Sequence, residues 1–302
     1  MRRIDLDDLG HRLDLHKRTR SWGGDCPACS YRNAFSMKAG KRGGVRAHCA
    51  NGCTLDQLDE ALQRALGSDW KPPARLPDAD VASQRAGKQA AALRLFAGST
   101  PLTPTDPAGL YLAGRGLVGF IGCPALRYRG DCHHQDGGRL AALVAQVVDA
   151  AGQPIAAHRT YLDRQGRKAG VDPCKMTLGP MWGGAVRLTL DQAAPDELLI
   201  GEGIETSASA GQLLGLPVWA ALSAGNLGGG LVLPDQVRAV TIAADADTVG
   251  LREANTAARR WRAEGRTVRI VAPTAAGQDF NDMLQQDRAT GAADGGNDDG
   301  NR

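Results

Sequence analysis

An α/β fold with a parallel sheet is what the second half of this 302-residue chain predicts. Three observations carry the prediction. From Glu197 onward, apolar strand-like runs alternate with runs of helical periodicity, the pattern of βα units in a parallel sheet. Three of the strand-like runs lead into acidic residues, at Glu202, at Asp245 with Asp247, and at Asp279 with Asp282. Upstream, four of the seven cysteines crowd into residues 26–53, the mark of a small metal-held module ahead of the main fold.

Composition sets the outer bounds. At 42% hydrophobic residues the chain can bury a core, which excludes wholesale disorder. No apolar run reaches the length of a bilayer span, so no membrane association is expected. Met1-Arg-Arg-Ile-Asp-Leu-Asp-Asp lacks the apolar stretch of a signal peptide, and a cytoplasmic location is the expectation. The net charge of +3 is unevenly placed: residues 1–50 carry eleven Lys/Arg against five Asp, and residues 279–302 carry six Asp against two Arg. A basic head suits contact with a phosphate backbone, and equally a merely solvated surface.

In chain order, Asp5, Asp7 and Asp8 precede a Leu9/Leu13 spacing, which predicts a short helix with an acidic first turn. Cys26-Pro-Ala-Cys29 and His48-Cys49-Ala-Asn-Gly-Cys53 follow, two knuckles joined by a span with Gly43-Gly44 at its expected turn. Two knuckles supply the four soft ligands that a tetrahedral Zn²⁺ takes. The ligands are assigned as Cys26, Cys29, Cys49 and Cys53, with His48 as the substitute for Cys49. Thr54 is the expected N-cap of the helix that closes this module, residues 1–67. A linker is drawn at 68–82 on Pro72, Pro73 and Pro77.

Residues 83–190 read as a mixed subdomain. A helix is expected over 84–96, a short glycine-stopped helix from Ala108, and a hairpin over 140–162 with an Asp/Gly turn. Arg159, Lys168 and Lys175 are candidate ligands for nucleotide or nucleic-acid phosphates, although each alone reads as a surface charge. Cys123 and Cys132, which flank His133-His134, lack the paired-knuckle spacing and are read as buried or surface residues.

The last large segment, 191–287, is predicted to place strands at about 197–201, 216–222, 237–244 and 267–272. Helices are expected at about 204–214, 249–264 and 281–286, and a glycine-rich loop at 225–230. A tail at 288–302 is rich in Gly, Asp and Asn and is expected to be disordered. Parallel strands would gather the acids at one carboxyl edge, where open α/β sheets bind ligands. Carboxylates crowded there call for a divalent cation, which points to Mg²⁺-dependent phosphate chemistry. The competing reading of any single Asp is a helix N-cap.

Glu202-Gly, Asp245-x-Asp247 and the later Asp279/Asp282 pair resemble the Toprim domain of primases, topoisomerases and some nucleases. The order of parts is similar to bacterial primases and their phage and mobile-element relatives: a zinc ribbon, a Tyr111-Leu-Ala-Gly-Arg115-Gly segment, a hairpin ending in a basic residue, then Toprim. The resemblance implies an α+β primase-like subdomain ahead of a Toprim-like sheet with flanking helices. It implies Glu202 as a general acid/base or metal-organising residue, and Asp245 and Asp247 as ligands of Mg²⁺ or Mn²⁺. Asp279 and Asp282 would support a second ion. The implied activity is primer synthesis on single-stranded DNA from nucleoside triphosphates in DNA replication; a Toprim nuclease and a non-catalytic zinc-containing DNA-binding accessory protein are the alternatives. Three departures stand out, the first being the stretched second knuckle, with three residues between Cys49 and Cys53. Replicative primases place a second acid four residues after the glutamate, where this chain has Thr206, with Glu205 one residue earlier. No Walker-type nucleotide loop occurs in this sequence, and a separate helicase is the expected partner.

Overall fold

The structure is a computed structural model that describes residues 5–18, 21–40, 45–72, 78–189, 195–275 and 278–294. The turn expected at Gly43-Gly44, the linker prolines Pro73 and Pro77, and residues 295–302 of the expected tail lie outside those residues, while residues 288–294, expected to be disordered, continue the last helix. The chain divides into two compact units, Met1–Gln84 with Gln135–Gly138, and Arg85–His134 with Arg139–Arg302. Among the described residues no helix is long and apolar enough to cross a membrane.

The first unit opens with helix α1 (Leu6–Arg12), where the Asp5 carboxylate accepts from the Asp7 and Asp8 amides. Strands β1 (His16–Lys17), β2 (Trp22–Gly24), β3 (Phe35–Ala39) and β4 (Val45–Cys49) form an antiparallel sheet in that order. Helix α2 (Leu55–Leu66) starts as expected at Thr54, in a capping box with Gln57 that satisfies one orphan donor at each residue. Phe35, Met37, Trp22, Leu58 and Leu62 form its small core together with Cys26 and Cys49.

The second unit holds two sheets. Helix α3 (Asp78–Ala97) begins earlier than expected, and α4 (Pro107–Gly114) is capped by Asp106, which accepts from the Ala108 and Gly109 amides. Strands β5 (Thr100–Pro101), β6 (Leu126–His133), β7 (Arg139–Val148), β8 (Pro154–Leu162) and β9 (Lys175–Leu178) form an antiparallel sheet in sequence order. The expected hairpin is β7–β8. Pleating sends alternate residues of β8 to opposite faces. Ala157 and Tyr161 pack with Ala92 and Phe96 of α3, while Ala156 and Leu162 join the larger core on the other side.

That larger core also contains one face of the second sheet. This sheet runs β10 (Val186–Arg187), β12 (Val218–Ala220), β11 (Glu197–Gly201), β13 (Ala239–Ala243) and β14 (Thr267–Val271); β10 is antiparallel and the rest parallel, as predicted. Helices α5 (Ile204–Leu214) and α7 (Phe280–Asp294) contribute Ile204, Ala208, Phe280 and Leu284 to the core on this face. Helix α6 (Thr248–Ala263) covers the opposite face through Ala254, Ala258 and Trp261 against Leu198, Ile200 and Ile242. With both faces covered, the central strands read as continuous apolar runs rather than alternating ones.

The strand expected over 216–222 shrinks to three residues for a local reason. Gly215 adopts φ +65° and the Leu216 amide donates to Gly211, so Leu216 belongs to the stop of α5. At the other end Leu222 takes φ +70°, a left-handed conformation unusual for a branched residue, and turns the chain out of the sheet. The glycine-rich loop is a π-helical turn over Asn226–Gly230, packed against α6.

Candidate active site and metal centre

Strand pairing builds the first site. Cys49 ends β4 opposite Phe35, facing the core, and Cys26 and Cys29 lie on the turn after β2. The Sγ atoms of Cys26, Cys29, Cys49 and Cys53 all lie within 4.8 Å of one another. The Cys26–Cys53 and Cys29–Cys49 separations are 3.9 and 3.8 Å. A tetrahedron with metal–sulfur bonds of about 2.3 Å has edges of about 3.8 Å, so the four thiols fit a Zn²⁺. A hydrogen bond with Cys49 lowers the Cys26 thiol to about 5, while that same bond raises Cys49 and burial raises Cys53 to about 12, so a bound cation would be what holds all four as thiolates. His48 is corrected out of the ligand set: it pairs with Ser36 on the exposed side of β4, because alternation turns it away from the side taken by Cys49. Among the described residues these four cysteines are the one group of three or more metal-type ligands that converges this tightly; Cys123 and Cys132 are buried single thiols.

The carboxylates stand at the edge of the parallel sheet. Strand β11 has β12 on one side and β13 on the other, the reversal of strand order where such sheets open a ligand crevice. Glu202 follows β11, and Asp245 and Asp247 follow β13, so they flank that crevice. The Glu202 carbonyl accepts from the Leu222 amide at 2.7 Å, which ties the left-handed turn to the end of β11. Asp247 caps α6 and accepts from the Gly250 amide at 2.7 Å. Asp279 and Asp282 bond reciprocally to each other's amides at the start of α7, so both also serve as capping groups. The capping reading thus holds for Asp247, Asp279 and Asp282. Burial, then the charges of Asp247 and Asp279, raise the pKa of Asp245, which places these three acids in one electrostatic neighbourhood. Among the described residues no three of the acids converge as tightly as the four thiols.

The antiparallel sheet supplies the positive charge. On β8 and β9, His158 pairs with Thr177 and Thr160 with Lys175, so these residues share one face of the sheet. Lys175 Nζ bonds Glu205 Oε2 at 2.8 Å, and its charge reaches Asp245. Lys168 lies in the same neighbourhood, its pKa lowered by burial and by the charge of Lys175. Arg159 does not join them. Pleating turns it to the opposite face, where it is 8% exposed, lies beside Tyr161 and donates to the His133 carbonyl at 3.3 Å.

Glu205 is the residue that sequence reading left unassigned. It sits one helical turn after Glu202, 6% exposed, with Oε1 accepting from the Tyr111 hydroxyl and Oε2 from Lys175. Burial pushes its pKa up, but Lys175, Tyr111 and Lys168 outweigh burial and hold it well below the usual carboxylate range. The Tyr-Leu-x-x-Arg-Gly segment explains part of this arrangement. Tyr111 reaches Glu205, while Arg115 lies over the Tyr111 ring and donates to Asn281, whose Nδ2 returns a bond to the Arg115 carbonyl at 2.8 Å. His158 is buried beside Lys175, which lowers its pKa to about 3, burial being the larger cause; its Nδ1 lies 2.8 Å from the Thr177 hydroxyl.

Residues 86–188 match a family described as Domain of unknown function (DUF7146), and residues 197–290 match the Toprim domain. No curated protein sequence matches the chain. Among solved structures, the chain is similar to a DnaG primase catalytic domain bound to single-stranded DNA at 18% identity, covering 70% of this chain and 81% of that one with a TM-score of 0.49. It is similar to the Aquifex aeolicus primase zinc-binding and RNA polymerase domains at 12% identity, covering 96% and 84% with a TM-score of 0.48. A primase domain from Pseudomonas aeruginosa is 17% identical over 68% and 77%, with a TM-score of 0.46. The crowded acids at the strand ends thus stand in a segment of known kind: residues 197–290 are a Toprim domain, in a chain whose first unit carries a four-cysteine cluster that fits a zinc ribbon.

Proposed function

We propose that this chain is a primase-like nucleotidyltransferase that makes short primers on single-stranded DNA. The observation that carries the reading is the acid edge at the switch point of the parallel sheet, with Lys175 on the adjoining sheet and Lys168 in the segment between its strands β8 and β9. Glu202, Asp245 and Asp247 would hold Mg²⁺ or Mn²⁺, with Asp279 and Asp282 supporting a second ion. The donor set is all oxygen, and the pKa of Asp245 is raised by burial first and then by the charges of Asp247 and Asp279, a repulsion that a cation would relieve. When bound, such ions polarise phosphoryl oxygens and neutralise charge on a triphosphate.

The chain's own residues supply the rest. Lys175 and Lys168 neutralise the triphosphate and orient it against the sheet edge. The 3′-oxygen of the growing strand forms the new bond at the α-phosphorus, pyrophosphate leaves, and Glu202 is assigned to the hydroxyl proton or to ordering the acids. The four-cysteine unit would take a structural Zn²⁺ and engage single-stranded template, and unwinding would fall to a separate helicase.

The test incubates the protein with single-stranded DNA, nucleoside triphosphates and Mg²⁺ and looks for short oligomers. Wild type should make them and an Asp245→Asn/Asp247→Asn variant should not; equal product from both sinks the proposal. Strand scission without added nucleotides would favour a Toprim nuclease. Mg²⁺ titration that registers no acid-dependent binding would favour a non-catalytic DNA-binding role.

A further inference from the structure

We infer that Glu205 is a positioning residue: it acts as the buried counter-ion of Lys175, aims that lysine at the carboxylate edge, and is not itself a cation ligand. The inference rests on the proposed reading of Lys175 as a phosphate-binding residue.

The stereochemistry commits both oxygens of the carboxylate. Oε1 takes the Tyr111 hydroxyl and Oε2 takes Lys175 Nζ at 2.8 Å. The Glu205 side chain is 8% exposed, whereas that of Lys175 is 32% exposed. The pair is therefore asymmetric, with a sealed anion on α5 and a cation whose outer side remains open. Each partner comes from a different element: Tyr111 from α4, Lys175 from β9 and Glu205 from α5. Rigid elements hold a constellation more closely than loops do.

Charge completes the case. Lys168 lies within electrostatic reach of both Lys175 and Arg115, and Lys175 also reaches His158 and Asp245. The buried anion among them is Glu205. Removing it would leave Lys175 beside Lys168 with Asp245 as the next acid in reach, so the lysine would be drawn onto the carboxylates that a cation needs. Glu205 thus keeps the basic and acidic halves of the site apart. It also accounts for the departure at Thr206: the acid one residue earlier on the helix is spent on the lysine, not on the sheet edge.

The test separates action through Lys175 from action on the cation. Amine acylation of the full chain, read by mass spectrometry with the exposed Lys88 as internal reference, reports the Lys175 ion pair and needs no catalysis. In an Asp245→Asn background, which removes the next acid that Lys175 could pair with, Glu205→Gln should speed Lys175 labelling on the order of tenfold or more. Unchanged labelling overturns the inference. Should that variant fail to fold, Glu205→Asp, one methylene shorter, must show the same increase. Mg²⁺ calorimetry closes the cycle. In a Lys175→Met background, Glu205→Gln should change the Mg²⁺ Kd by less than about twofold, because a residue that acts through another has nothing left to act on. A loss there as large as that from Asp245→Asn makes Glu205 a ligand and overturns the inference. If wild type binds no Mg²⁺, the proposed function fails, and the labelling result still decides whether Glu205 positions Lys175.

Discussion

Asn226 offers the sharpest test of how the carboxyl edge is held together. The side chain is fully buried on the π-helical turn. Its Nδ2 donates to the carbonyls of Gly184 and Ala221 at 2.9 and 2.8 Å, and its Oδ1 accepts from the Gly183 amide at 2.9 Å. These contacts tie the segment before β10 to the end of β12, one residue before the left-handed Leu222 that bonds the Glu202 carbonyl. Asn226→Ala removes three hydrogen bonds and strands three backbone groups. Each bond is worth about 1 kcal/mol net, and a stranded buried group costs more, so the loss is about 3–5 kcal/mol. For a unit of this size that lowers Tm by on the order of 10 °C. Asn226→Asp should be no better, since it keeps the acceptor but replaces two donors with a buried charge. Thermal melts followed by circular dichroism measure the effect. A loss under about 1 kcal/mol would refute the claim that this amide carries the edge, because it would mean the three backbone groups find other partners.

Three further outcomes follow from the same physics. Chelation or Cys49→Ser should unfold the first unit, whose core includes the Cys26 and Cys49 side chains, while the second unit keeps its own melting transition; a tryptophan signal from Trp22 and Trp70 that survives chelation would count against a structural metal. Asp245 has a folded pKa above its ordinary 3.8, so the proton it binds stabilises the fold below 3.8 and that stability is lost as pH rises through the folded value; metal-free Asp245→Asn should therefore melt higher than wild type at neutral pH, and a lower Tm would contradict the burial and repulsion assigned to it. His158 carries the opposite sign. Its folded pKa is depressed from 6.5 to about 3, so its stability contribution is present above 6.5 and is lost as pH falls toward 3; His158→Gln should flatten that part of the Tm profile, and an unchanged slope would show that the imidazole is not held neutral.

Much of the fold was legible in the sequence because its signals are local. The strand Glu197–Gly201 and the helix Ile204–Leu214 fall where the apolar runs and their periodicity put them, and the Thr54 cap falls where the capping box puts it. Four thiols spaced as two knuckles announced their own convergence. The acids at the strand ends were equally visible, although whether an Asp caps a helix or faces a crevice is not a local question, and Asp247, Asp279 and Asp282 all cap helices. His48 was ambiguous because Cys49 is its neighbour, and only strand pairing decides which of two adjacent residues faces inward.

What the sequence by itself determined, then, was the order of the modules, the periodic elements and the residue types at the strand ends, since each of these depends on neighbours a few positions apart. The tertiary structure decided the partners. Lys175 meets Glu205 across 30 positions and Tyr111 meets it across 94, while Arg159, on the same hairpin strand as His158, is turned away from both. No spacing rule encodes such pairings, because they arise when one face of an antiparallel sheet packs against the helices of a parallel one; that packing makes Glu205 a buried counter-ion and leaves Lys175 partly open at the acid edge.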